Sequence, residues 1–477
     1  MKIQFLGSAQ EVGRSCILVN DAYLLDAGIK IGPEESEYPL DFSEKDVKAV
    51  FLSHAHLDHT GALPLLNHLG LKCPIYATKI TKQITKILLH DSIHIEKLSK
   101  NPAYSEENIN NILSYFQFVE YNKEYEEKGD GFNAKKENFA GKKNSSGNSR
   151  VKFMLFDAGH IPGSGSFLLT INDNGKDKTL LYTGDINSIS TYLLDGLTYD
   201  GQIAKENAKH KLKTAKLKTD SLKNDKLKND NLNIGKLKID VMICESTYGG
   251  RDHPSREAQE KEFLDIVERT VDNKGSVLIP AFSVGRAQEV LIMLSKRRFD
   301  APIFLDGMAK KVTNILLDVP AYIKDVKLLK KAISNIEFVK DFNHRQMIVK
   351  NKGIFVTTAG MLDGGPVMDY IKYVYDEENS ALLLTGYQAE GSNGRMVLEQ
   401  KKVIVDNKML NVKCFVKKFD FSAHCGQKEL LQMLKNINPT HLIINHGDIK
   451  EMNALAEKAA FIENIHIPVD GEIVRIN

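Results

Sequence analysis

The chain contains no apolar run approaching the ~18 residues that a membrane-spanning helix needs, and its opening residues, MKIQFLGSAQEVG, lack the long apolar core of a secretory leader. The expectation is a protein that neither enters a membrane nor is secreted. Cysteine is scarce as well: Cys16, Cys73, Cys244, Cys414 and Cys425 are scattered, with no C-x-x-C pair among them. That spacing excludes a disulfide framework, fits a reducing cytoplasm, and leaves the cysteines as buried apolar residues. Nor is there an excess of charge of one sign, since 64 Lys and Arg face 62 Asp and Glu. Net charge therefore argues neither for nor against a polyanionic partner, and any preference for phosphates has to come from local charge.

What is present is ordinary globular material. The 477 residues are 42% hydrophobic and 26% charged, enough for sizeable cores and too many for a single one. Two domains are expected. The opening reads as short strands with tight turns, KIQFLGS, CILVN, AYLLDAG and VKAVFLSH. Helical periodicity follows in TGALPLLNHLG and TKQITKILLHDSIHIEKL, and buried strands in VKFMLFDAGH, TLLYTGD and VMICES. A second cycle runs from about Arg251 to Asn407, with helices EAQEKEFLDIVERTV and RAQEVLIMLSK and strands SVLIPAF, APIFLD and GIFVTTAG. It reads as a doubly wound α/β unit of its own. From about Lys408 the tail has strands VKCFVKKFD and HLIINHGD and the helix GQKELLQMLKNI, and is expected to rejoin the first domain. The class is α/β.

Two stretches read as insertions. Tyr121 to Arg150 is polar and aperiodic, a loop or excursion between two strands. From Lys211 a five-residue repeat spaces Leu212, Leu217, Leu222, Leu227, Leu232 and Leu237 evenly, with a period that matches neither helix nor strand. Ten Lys against three Asp between Lys209 and Lys238 place the chain's basic character here. A solvated low-complexity expansion is preferred over an arm that attracts phosphates.

The string Ser53-His54-Ala55-His56-Leu57-Asp58-His59 follows the apolar strand VKAVFLS, so several side chains leave one strand end toward one centre. Imidazole and carboxylate suit zinc, and no cysteine competes for the metal. One ion can take His54 and His56, another Asp58 and His59. A polar turn that happens to be rich in histidine is the bland alternative, and the H-x-H-x-D-H spacing is too particular for it. His160 in FDAGHIPGS, Asp185 in LYTGDI and His446 in LIINHGD each occupy a Gly-flanked turn after a buried strand. Each alone would read as a turn or cap residue; together they fit as the remaining ligands. Two adjacent zincs lower the pKa of a shared water toward neutrality and clamp the oxygens of an in-line displacement at phosphorus, so hydrolysis follows. The ligands alone do not choose between a lactam, a thioester and a phosphodiester.

With Asp26, the His54 to His59 cluster, His160 and Asp185 in this order, the chain resembles the metallo-β-lactamase superfamily over most of its length outside the two insertions. The resemblance implies an αββα sandwich. It assigns His54, His56 and His160 to one zinc, Asp58, His59 and His446 to the other, and Asp185 to a bridge between them. Asp26 in LLDAG becomes a carboxylate that orients ligands without binding metal. Glu245 in CESTYGGRDH, His424 in DFSAHCG and His446 resemble, in order, the markers of the β-CASP branch, which processes nucleic acids and carries an α/β domain inserted into the sandwich. The implied division is 1–246 and 408–477 for the sandwich, with insertions at about 122–150 and 205–238, and 247–407 for the β-CASP domain. TTAGMLDGGP is similar to the prokaryotic, archaeal form of the cleavage endonuclease subunit of the cleavage and polyadenylation specificity factor. Because the chain begins with the first sheet strand, the KH domains that precede it in some archaeal relatives are expected to be absent.

The loops IPAFSVGRAQEVL, TTAGMLDGGP and LTGYQAEGSNGR also suit phosphate oxygens on chemical grounds. Gly-rich turns, Gly360 among them, present N–H groups; Ser283, Thr357, Thr358 and Ser392 offer hydroxyls, and Arg286 and Arg395 offer charge. His424 is the general-acid candidate, since a leaving oxygen needs a proton and imidazole titrates near neutrality, with Glu245 fixing its tautomer and raising its pKa. Asp58 and Asp185 complete the catalytic set. The branch often has Asp two residues after that histidine, where this chain has Cys425-Gly426. The expected function is zinc-dependent endonucleolytic cleavage of single-stranded RNA, in processing or 3′-end formation, with two Zn2+ per chain; a homodimer is implied by resemblance alone. The alternatives are a 5′-to-3′ exoribonuclease or both modes together. More remote are a small-molecule hydrolase, which would not need the inserted domain, and a non-catalytic RNA-binding subunit, which would lack ligands that this chain retains.

Overall fold

Short strands whose every residue is apolar have nowhere to go but between two layers, and three sheets form on that principle. The computed structural model describes residues 1–31, 36–40, 46–96, 102–127, 151–173, 175–201, 203 and 238–477. The lysine-leucine repeat and most of the polar excursion before Arg150 lie outside them. The first seven-stranded sheet runs, edge to edge, Ile473–Arg475, Lys2–Gly7, Cys16–Val19, Tyr23–Leu25, Ala49–Phe51, Ile75–Ala77 and Phe116–Phe118. The second runs Asn464–His466, His441–Asn445, Val241–Glu245, Lys176–Tyr182, Gly165–Asp173, Val151–Asp157 and Glu124–Glu127. Ile3, Phe5 and Phe51 of the first meet Phe153, Phe167, Tyr182 and Ile443 of the second in the central core. Helices cover both outer faces, Leu63–His68, Lys79–Glu96 and Glu106–Leu113 on one and Gln427–Ile437 and Ile449–Lys458 on the other. This is the αββα sandwich.

The third sheet has six strands in the order Ile336–Phe338, Ile303–Asp306, Ile354–Thr357, Val277–Pro280, Ala381–Leu384 and Phe415–Lys418, all parallel. Its central strands VLIP, IFVT and ALLL are wholly buried, as a parallel sheet with helices on both faces requires. The strand Phe415–Lys418 lies beyond the expected boundary at residue 407, yet it pairs with Ala381–Leu384. Without it that buried strand would be an open edge, so the inserted unit continues through Lys418. Being an edge strand itself, Phe415–Lys418 is only half-buried, and in sequence it looks no different from a strand of the returning tail.

A second expectation is also corrected. The stretch expected as a loop from Tyr121 begins with a strand, Glu124–Glu127, antiparallel to Val151–Asp157. Tyr125 stacks on Phe153 at 5.4 Å and the Tyr121 hydroxyl donates to the Ser164 carbonyl at 2.8 Å, so two aromatic residues anchor a segment that is otherwise polar.

The sandwich and the inserted unit share a core. Ile80, Ile84 and Leu88 on one stripe of helix Lys79–Glu96, with Ala55 and Ile161, pack against Val284, Ile292, Val312 and Leu316. The Leu89 and Ile93 stripe of the same helix faces the first sheet. Among the described residues no helix is long and apolar enough to cross a membrane.

Candidate active site

The strands Tyr23–Leu25 and Ala49–Phe51 run parallel to each other, and so do Lys176–Tyr182, Val241–Glu245 and His441–Asn445. Their carboxyl ends, with that of Val151–Asp157, release Asp26, His54 to His59, Asp185, Glu245, His446 and His160 onto one rim of the sandwich. One atom each from His54, His56, His160 and Asp185 lies within 4.8 Å of all the others, and the same holds for Asp58, His59, Asp185 and His446. All the metal ligands expected from sequence are thus brought together, Asp185 belonging to both groups. Its Oδ2 is 3.6 Å from His54 Nε2 and from His160 Nε2 and 3.4 Å from His59 Nε2, while Oδ1 is 3.3 Å from His446 Nδ1.

Three observations test whether these residues fit metal ions. His56 Nδ1 is 3.1 Å from His54 Nε2 and 3.2 Å from His160 Nε2. Nitrogens about 2.0–2.1 Å from a tetrahedral zinc lie about 3.3 Å apart, so this spacing is that of a ligand set. Burial, then His59 and His424 respectively, hold His54 and His160 well below the ordinary imidazole range, which keeps their lone pairs free for a cation. In the second group His59 Nε2, Asp185 Oδ1 and His446 Nε2 are sealed from solvent and make no hydrogen bond among the described residues, facing only other members of the cluster at 3.3 Å or more. Such atoms are costly unless something binds them. The donor set fits two cations.

Around the ligands, Asp26 acts through contacts of its own. Its Oδ2 accepts from His59 Nδ1 at 2.7 Å and from the Ser53 and Tyr182 hydroxyls at 2.6 Å, and its Oδ1 accepts from the Ser53 amide at 2.6 Å. The hydrogen bond fixes the tautomer that turns His59 Nε2 to the centre.

His424 stands beside the cluster, its ring 4.5 Å from that of His160. Its Nδ1 meets the Glu245 carboxylate at 2.9 and 3.1 Å, and its Nε2 makes no hydrogen bond among the described residues. Burial opposes a charge on this imidazole, but Glu245, by charge and hydrogen bond, outweighs it and pushes the group up to about 9. The arrangement can hold a proton next to the metal site and give it up.

The residues expected to bind phosphate divide. Ser283 and Arg286 open the helix Arg286–Leu294, and neither side chain has a hydrogen-bond or ion-pair partner among the described residues. Arg286 is 8% exposed, and burial, then Arg256, push its guanidinium down to about 10, still a cation at neutral pH. Thr357 and Ser392 do not fit the expectation. Thr357 is fully buried and donates to the Thr358 carbonyl, and Ser392 caps the helix Asn393–Gln400 by accepting from the Arg395 amide. Thr358 Oγ1 accepts from the Met308 amide and Gly360 O from Gln388, both contacts within the inserted unit. Short hydroxyls in Gly-rich turns serve caps as readily as ligands, which is why sequence could not separate them. Arg395 pairs with Glu399 at 2.5 Å on the surface.

Sequence reasoning missed Tyr248, Arg251, His253 and Asp420. They sit in the strings CESTYGGRDH and DFSAH beside Glu245 and His424, which is the signal that could have found them. Arg251 Nη1 and His253 Nδ1 both meet Asp420 Oδ2, at 2.7 and 3.3 Å, and the Arg251 guanidinium lies 4.2 Å over the Tyr248 ring.

Residues 287–397 match the Beta-Casp domain, 409–469 the Zn-dependent metallo-hydrolase RNA specificity domain, and 1–207 the Anti-Pycsar protein Apyc1. Probable RNase MJ4 of Methanocaldococcus jannaschii is 37% identical over 94% of this chain and 93% of its own. The chain belongs to the β-CASP ribonuclease branch of the metallo-β-lactamase superfamily. Other β-CASP relatives are RNase aCSPSF2 of Saccharolobus solfataricus, 32% identical over 95% of this chain and 81% of its own, and Transcription termination factor FttA of Methanococcus maripaludis, 29% identical over 100% and 72%. A solved structure of a protein of unknown function from Enterococcus faecalis V583 shares the fold, with a TM-score of 0.54 at 14% identity over 99% of both chains.

Proposed function

We propose that this zinc-dependent ribonuclease cuts RNA internally, with two Zn2+ per chain and His424 as the proton donor to the leaving oxygen. The first ion would be held by His54, His56 and His160, the second by Asp58, His59 and His446, with Asp185 shared. Bound there, the ions supply an activated water and offset charge on the phosphate. A phosphodiester lying across the cluster gains a bond from the water oxygen to phosphorus and loses the bond to one bridging oxygen. That oxygen takes the electron pair and the proton on His424 Nε2, while the water's proton leaves toward solvent past the partly exposed Asp58. Glu245 keeps His424 charged until the transfer and orients it. Arg286 and Ser283, which flank Gly285 where it approaches Ile161 and Pro162 beside His160, would take a neighbouring phosphate, because a buried guanidinium with no carboxylate bonded to it among the described residues gains most from an anion that arrives with substrate.

The His424–Glu245 contact at 2.9 Å, at the edge of the His/Asp cluster, carries this reading, because an alkoxide expelled from phosphorus needs a proton, whereas the thiolate expelled from a thioester does not. The test is incubation of the purified protein with circular RNA and with 5′-labelled linear RNA, with and without a chelator. Opening of the circle that stops with chelator and returns with zinc is expected. An intact circle beside a linear RNA shortened from its 5′ end would replace internal cutting with exonucleolytic trimming, and no cleavage of either would end the proposal.

A further inference from the structure

His424 can donate its proton usefully only if its Nε2 is aimed, and aiming a ring requires holding both its far nitrogen and the backbone from which it hangs. Glu245 holds the nitrogen. The backbone is held by residues outside the loop that carries it: the Ala423 carbonyl accepts from His160 Nδ1 at 2.7 Å, the Cys425 amide donates to the Ile186 carbonyl at 2.8 Å, and the carbonyl of His424 itself accepts from His253 Nε2 at 3.1 Å. Ser422 Oγ also reaches that carbonyl, at 3.4 Å, but it belongs to the same loop and moves with it. His253 comes from the segment that follows Glu245, so one stretch of chain grips His424 at two points.

His253 is built into a bracket. Its Nδ1 faces Asp420 Oδ2 at 3.3 Å, and Asp420 is itself fixed by Arg251 at 2.7 Å and, through its amide, by Gln259 Oε1 at 3.2 Å. Burial raises the Asp420 carboxyl, yet the bonds from His253 and Arg251 outweigh it and hold the group well below the usual carboxylate range. Tyr248 packs edge-on against the His253 ring at 4.8 Å, and the bracket is closed by Gln427 and Lys428, whose amides donate to Arg251 O and Asp252 Oδ1, each at 2.9 Å. The two ring nitrogens of His253 thus face two oxygens, Asp420 Oδ2 on one side and the His424 carbonyl on the other.

We infer that His253 is a positioning residue for the proton transfer: by fixing the carbonyl of His424 it sets where Nε2 points, without touching substrate or metal. The inference rests on the role proposed for His424, and its test separates the two. RNAs are prepared with sulfur in place of the 3′ or the 5′ bridging oxygen at one cleavable linkage. A thiolate leaves without needing a proton, so loss of proton donation no longer slows the reaction.

With oxygen-linked RNA, His253→Ala is expected to lower kcat about 10- to 100-fold with little change in KM. With the sulfur in the leaving position the loss disappears, and His424→Ala behaves in the same way. His253→Gln, which keeps an N–H donor, should restore part of the oxygen-linked rate. Zinc content and thermal midpoint, measured alongside, show whether each variant is folded and loaded. If His253→Ala loses equally on both linkages, or raises KM at constant kcat, while His424→Ala is rescued by sulfur, the inference is overturned and the proposed function stands. If His424→Ala is not rescued either, both fall.

Discussion

Asp26 never reaches the metal position, and still decides what His59 does there. Replacing it with Asn keeps size but puts an amide nitrogen where one of the carboxylate oxygens accepts, against four donors: His59 Nδ1, Ser53 N, Ser53 Oγ and Tyr182 OH. Asp26→Asn is expected to weaken zinc binding about 10- to 100-fold, read by competition with a chelator; unchanged affinity would remove Asp26 from the account. His56→Ala and His424→Ala form a contrasting pair. The first should lose zinc together with cleavage, and the second should keep zinc and lose cleavage by roughly 10²- to 10⁴-fold. Normal cleavage by His424→Ala would end its assignment as the acid. The pH dependence carries the same signature. Glu245 raises the imidazole, so the donor form is favoured toward neutral pH and cleavage falls on the alkaline side as His424 loses its proton. Glu245→Gln removes the charge that raises it, burial then prevails, and the alkaline limb moves to lower pH. A limb that stays in place in that variant would contradict the role of Glu245. The clustering of the candidate ligands was legible in sequence because close spacing in a strand-end turn leaves little else for three histidines and an aspartate to do. The roles of Thr357 and Ser392 were not, since a hydroxyl in a Gly-rich turn serves the backbone as well as a phosphate.

Elements bring those residues to one place, and their turns fit closely. Gly28, in the loop after the strand Tyr23–Leu25, lies against the turn that carries Asp58 and His59. A Cβ there would stand 1.6 Å from the Asp58 carbonyl oxygen and 2.7 Å from the His59 amide nitrogen. Both are backbone atoms tied by hydrogen bonds, Ser15 N to Asp58 O at 2.8 Å and His59 N to His56 O at 3.0 Å. The turn cannot move aside without taking two ligands with it. Gly28→Ala should therefore lower the zinc bound per chain relative to the unaltered protein, counted by metal analysis of the purified proteins, and an unchanged content would show that the turn yields after all. Most elements could be read from sequence, because wholly apolar strands such as VLIP, IFVT and ALLL and the two-striped helix Lys79–Glu96 advertise their burial. Edge strands are harder: in sequence Glu124–Glu127 reads as loop, and Phe415–Lys418 reads as a strand but not as one of the sheet it joins. Glu124–Glu127 and Phe415–Lys418 are polar and half-buried, and only their neighbours give them a sheet to join.

At the scale of the molecule the ligands come from distant parts of the chain: one turn of the first sheet, two of the second, and the segment that returns after the inserted unit. Cations at the cluster tie the two layers of the sandwich, and ligands that bind only the folded state stabilise it by mass action, by about 4 kcal/mol at a thousandfold excess over Kd. Removing zinc is expected to lower the thermal midpoint by several degrees, recovered on adding it back; an unchanged midpoint would mean that the layers hold each other without the ions. The two-unit plan was visible in sequence as two cycles of strand and helix, whereas the place where the second ends depended on pairing that no local pattern records.

His446 is supplied by that returning segment, close to the end of the chain, while His54 to His59 are supplied near its start. Synthesis proceeds in that order and domains fold as they emerge. The sandwich stays open until that segment arrives, because His441–Asn445 and Asn464–His466 of the second sheet and Ile473–Arg475 of the first come with it, as do His424 and His446. Closing the sandwich and gathering all the candidate ligands are thus a single event in folding.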